Sequence, residues 1–106
     1  MFVVVSCSSP AAVRLEDAAN CRELYVTSTG CPDSASLART LVLAGAGMLA
    51  DGGAHVWLSV DWLRLQGSVS QPPPWMAEFA GMLDYAKTKG WLDETGEAVR
   101  AHLQAD

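Results

Sequence analysis

Between residues 33 and 89 the spacing of apolar residues changes period twice, from helical to alternating and back, which restricts the chain to folds that combine helices with a sheet. After Thr29-Gly30, Pro32 suits a first helical position and Asp33 places an acid at the positive end of the helix dipole. Leu37, Leu41, Ala44 and Met48 recur at intervals of four, three and four, which predicts a helix over 33–50 with one apolar face. Gly45 and Gly47 weaken its last turns, and Asp51-Gly52-Gly53 closes it with turn chemistry. From Ala54 to Val60 the pattern alternates, with Ala54, Val56, Leu58 and Val60 on a core face and His55, Trp57 and Ser59 opposite. Asp61 then either caps a short helical turn carrying Trp62 and Leu63 or lies within a strand continuing through Leu65. Residues 67–74, ending in Pro72-Pro73-Pro74, read as a stiff loop, because proline can continue neither a ladder nor a helix. Trp75, Phe79, Met82, Leu83 and Ala86 share one face of a second predicted helix over 75–89, and Gly90 is its expected stop.

Outside this stretch the N-terminal run Phe2-Val3-Val4-Val5-Ser6 predicts a strand buried on both faces, and the β-formers of 22–28 predict another, with Leu24 and Val26 on one face. Leu15-Glu16-Asp17-Ala18-Ala19 between them suits either a helical turn or a connection. The alternation from Ala98 to Leu103 predicts a terminal strand over 97–103. The simplest assembly is a single α+β domain over residues 1–106, a mostly antiparallel sheet of about four strands with two main helices on one face. A winged-helix-like order after Asp33 is the alternative architecture.

Half of the residues are hydrophobic and 18% are charged, against about 25% in typical soluble domains. A chain of 106 residues buries only about two thirds of its unfolded surface, so apolar side chains are left over for a partner. This surplus points to a homodimer or to a small apolar ligand or protein partner. The net charge of -5 argues against nucleic acid, whose phosphates call for cations. The second long helix also lacks basic residues before Lys87, which disfavours a DNA-reading winged helix. No apolar run approaches the ~20 residues of a membrane span, and the N-terminus lacks the basic start of a signal peptide, so a cytoplasmic location is expected. Cys7, Cys21 and Cys31 are spaced unlike zinc or redox pairs, and all three are expected to be reduced, without a disulfide framework.

No metal site or cofactor follows from the remaining residues, because the two histidines have no third ligand at a suitable spacing. Three side chains are candidates for catalysis: His55 and His102 as general bases, and Cys31 as a thiol just ahead of a helix N-terminus. Trp57, Trp62 and Arg100 are candidates for contact with a ligand or partner, Trp57 foremost because it lies on the polar side of its strand. If the strands carrying them pair, His55, Trp57, Arg100 and His102 line one surface. The function expected from these observations is a small binding or accessory module that self-associates through a sheet face around Trp57. A cofactor-independent oxygenase, cyclase or isomerase with a Trp-lined pocket and a His base is the enzymatic alternative, and a winged-helix regulator the third.

Overall fold

A computed structural model describes residues 1–104. Six strands, β1 (Phe2–Ser6), β2 (Ala12–Glu16), β3 (Tyr25–Thr29), β4 (Gly47–Ala50), β5 (His55–Ser59) and β6 (Ala98–Gln104), form one sheet in the order β2-β1-β3-β6-β5-β4. The pairs β1/β3 and β3/β6 are parallel, and the other three are antiparallel. Three helices accompany them: α1 (Ser34–Leu43), α2 (Val60–Ser70) and α3 (Trp75–Thr88). The expected four-stranded, mostly antiparallel sheet is therefore replaced by a six-stranded mixed sheet curled into a half-barrel. The same sheet overturns the winged-helix-like order, since β4, β5 and β6 continue the sheet of the N-terminal strands instead of forming a separate wing.

The core occupies the concave side. Val3, Val5, Val26, Val56, Leu58, Val99 and Ala101 supply the sheet's share, and Leu37, Leu41, Val60, Leu63, Trp75, Phe79 and Ala86 supply that of the helices. All three helices thus pack on one face, and α1 and α2 each reach β2 as well as β4 or β5, bridging the open side of the curl.

The two added strands have local causes. In β2, Val13 and Leu15 face the core while Arg14 and Glu16 pair at 2.7 Å outside, a strand too polar to stand out by composition. The helix expected over 33–50 ends at Leu43 because Gly45 takes a left-handed φ of 70° and reverses the chain into β4. Gly47 is then required, because a Cβ there would run into the carbonyl oxygen of Trp57. Asp33 is the N-cap of α1, accepting from the Ser36 N–H at 2.8 Å, so Pro32 lies before the helix. Ser59, and not Asp61, caps α2 by accepting from the Trp62 N–H at 3.1 Å. That helix runs on through Gly67, and the loop expected from 67 shrinks to residues 71–74.

Cys7 and Cys31 are joined by a disulfide, which corrects the expectation of three reduced thiols, and Cys21 remains free. The cause is the parallel pairing of β1 and β3: Ser6 lies opposite Thr29, so the residues just past both strand ends come together, with Cα atoms 4.9 Å apart. Cys31 therefore presents no thiolate for nucleophilic chemistry. No helix among the described residues is long and apolar enough to cross a membrane.

Candidate functional site

The convex face of the sheet, with no helix upon it, collects the alternate residues that the core does not use. Strands β5 and β6 do pair, with His55 opposite His102 and Trp57 opposite Arg100, so these four candidate residues share one surface. Pairing extends the set in both directions. His102 lies opposite Tyr25, which lies opposite Phe2, so Phe2, Tyr25, His102 and His55 form one row across four strands. Rings within that row touch: Phe2 stacks on Tyr25 at 5.2 Å, and His55 meets His102 edge-on at 5.8 Å.

A second row lies one step along. Met48 is opposite Trp57, Trp57 opposite Arg100, and the Arg100 N–H donates to the Trp91 carbonyl at 2.6 Å, which sets Trp91 beside Arg100. The Arg100 guanidinium is thereby flanked in the ladder by two tryptophans. Trp91 is held by its backbone, its N–H donating to Ala86 at the end of α3 at 2.9 Å, after Gly90 turns the chain with a φ of 77°. Its indole meets Tyr85 edge-on at 6.0 Å and stays 38% exposed. Met48 is 62% exposed. Trp57 is half-buried, and Trp62 lies apart on α2, where it packs against the core.

Hollows adjoin this face where the sheet is interrupted. β3 pairs with β6 only from His102 onward, and ahead of that point Leu92 bridges to Val99 instead. The gap between Leu24 and Trp91 opens outward into a groove of about 180 Å³ that touches both imidazoles and a shallow one of about 520 Å³ that touches His102 alone. Inward it leads to an apolar cleft of about 390 Å³ beneath α3. The groove shared by both imidazoles is smaller than the ~300 Å³ at which a pocket begins to enclose a substrate, and the larger one beside His102 is open to the surface. Among the described residues no group of three or more His, Cys, Asp or Glu side chains is placed to hold a metal ion.

Phe2, Tyr25, Met48 and Trp91 belong to the face but were not candidates from the sequence. Phe2 is hidden in a continuous apolar run that shows no alternation, Met48 fits the helical stripe of α1, and Trp91 reads as packing at a helix end. Only strand pairing reveals them. No protein-family model, curated protein or solved structure matches this chain.

Proposed function

We propose that this protein is a binding module that self-associates through the convex face of its sheet, a second copy being the occupant. The observation that carries the reading is the pair of adjoining rows, Met48-Trp57-Arg100-Trp91 and His55-His102-Tyr25-Phe2, on the side of the sheet without helices. The rows support a second copy as the occupant through their apolar and aromatic side chains, with Arg100 as the one fixed cation among them. Among the described residues Glu16 is the only carboxylate within a strand, and it is bonded to Arg14, while Asp61, Asp93 and Glu97 border the hollow beside Met48 and Trp57 at one end of the face. Aromatic side chains with few charges are the composition of an interface centre.

The disulfide supports work in an oxidising compartment in place of the cytoplasmic location suggested by the sequence, since such bonds persist outside reducing environments. Sedimentation at micromolar concentrations tests the association. A dimer is expected for the native chain and a monomer for Trp57→Ser combined with Met48→Asp. A native chain that stays monomeric at all accessible concentrations overturns the reading.

A further inference from the structure

Of the nine glycines, eight have a structural reason to be glycine: each has a left-handed φ or sits where a side chain would strike a neighbour. Gly81 is the exception. It lies in the middle of α3 with helical backbone, and a Cβ placed on it meets nothing within 4 Å. A glycine there weakens the helix by about 1 kcal/mol relative to alanine, and neither packing nor backbone geometry calls for it. What it does is leave space, because Gly81 lines the 390 Å³ cleft beneath α3.

The cleft has a directional chemistry. Its walls are apolar, from Leu24, Met82, Ala86 and Val99, and the rings of Tyr85 and Trp91 stand on one side. Arg22 and Arg100 also line it, and the Lys89 ammonium lies 5.5 Å from the centre of the Tyr85 ring. Two of the seven basic side chains of an acidic protein therefore line one apolar hollow, and a third stands against its Tyr85 wall. One carboxylate, that of the exposed Glu23, also stands in the lining, next to Arg22 in the chain. Apolar walls with a few convergent polar groups are the usual make-up of a small-molecule site, and a volume of 390 Å³ lies within the ~300–1,000 Å³ range of such sites.

We infer that this cleft binds a small amphipathic anion, an aromatic or acyl group bearing a carboxylate or sulfonate, and that Gly81 keeps it open. The apolar body lies against Met82 and Leu24 beside Trp91, and the acid group faces Arg22 and Arg100. The cleft shares Arg100 and Trp91 with the proposed self-association row but not Trp57 or Met48, and loss of probe binding in a chain that still dimerises separates the two.

The test uses the full chain and two fluorescent probes, the anionic 1-anilinonaphthalene-8-sulfonate and the neutral N-phenyl-1-naphthylamine. Saturable binding of one anionic probe per chain is expected, at least tenfold weaker in Gly81→Leu, where the added side chain fills the cleft while the helix gains propensity. Gly81→Ala, which adds a single methyl to open space, is expected to bind a few-fold more weakly and keeps the test informative should the leucine variant misfold. Val69→Ser, at an exposed position of α2 outside the cleft, leaves the affinity unchanged. Arg22→Gln with Arg100→Gln weakens the anionic probe several-fold more than the neutral one. Absence of saturable binding, or equal affinity in the native and Gly81 variants, overturns the site. Equal loss of both probes in the double arginine variant overturns the anion assignment.

Discussion

Trp75 shows how much a single position depends on its surroundings. Its ring stacks on Phe79 at 4.9 Å, its indole N–H donates to the Ala18 carbonyl at 2.6 Å, and its far edge rests on Gly67 of α2, where no Cβ would fit. Gly67→Ala is expected to destabilise the fold by about 2 kcal/mol, because overpacking outweighs the gain in helix propensity, and urea denaturation checks this. Two carboxyls, at the exposed Asp33 and the partly exposed Asp93, set an acid limit on stability. Hydrogen bonding from Ser36 holds Asp33 below the usual aspartate range. At Asp93 desolvation pushes the other way, but the Ala98 N–H, the Thr95 hydroxyl and the Glu97 N–H outweigh it, and this carboxyl too is lowered. A depressed folded pKa stabilises above the unfolded value of about 3.9, and that contribution fades as pH falls through the lower folded value. Thermal melts between pH 5 and 2 are expected to fall less steeply for Asp33→Asn and Asp93→Asn, which keep an acceptor but lose the charge. An unchanged slope refutes this assignment. Neither role is visible in the bare sequence except as an acid near a helix start and an acid in a turn.

At the scale of elements, the disulfide ties β1 to β3 across a sequence separation of 24 residues. Closing a loop of that size restricts the unfolded chain, so Cys7→Ser is expected to cost about 3 kcal/mol in guanidinium denaturation. A reductant should produce the same loss in the native chain and none in the variant; equal stability of both forms without reductant disproves it. Elements with a strong internal period were legible: β5, β6 and α3 lie within a few residues of their expected bounds, as does β1 from its unbroken β-branched run, and the start of α1 follows Asp33. Elements whose pattern is shared between two periods were not. The run through Met48 fits a helix until Gly45 turns left-handed, and residues 60–70 look like a short turn and a loop because Gly67 reads as a breaker when its partner Trp75 is not in view. The two edge strands, β2 and β4, were missed for related reasons, one being half-polar and the other only four residues long.

For the molecule as a whole, the distribution of apolar surface is the quantity with functional consequences. Leu43 and Met48 are 80% and 62% exposed, while the buried set contains no polar side chain among the described residues. A dimer joined through rows that are aromatic or apolar apart from Arg100 and the histidines should be held mainly by the hydrophobic effect, so added salt, which screens the repulsion between two copies of net charge -5, is expected not to weaken it. Dissociation on adding salt would point to ionic contacts and away from the convex face. The amino-acid order alone determined the α+β class, the inward faces of β5 and α3, and the surplus of apolar side chains, because these depend on residue type and on spacings within one element. Tertiary structure alone decided the parallel pairings, the Cys7–Cys31 bond, the union of His55, Trp57, Arg100 and His102 with Phe2 and Tyr25, and the hollow over Gly81. Those features depend on which distant strands become neighbours, and that choice is made by how three helices fill one concave sheet, a sum over many weak contacts that no local period encodes.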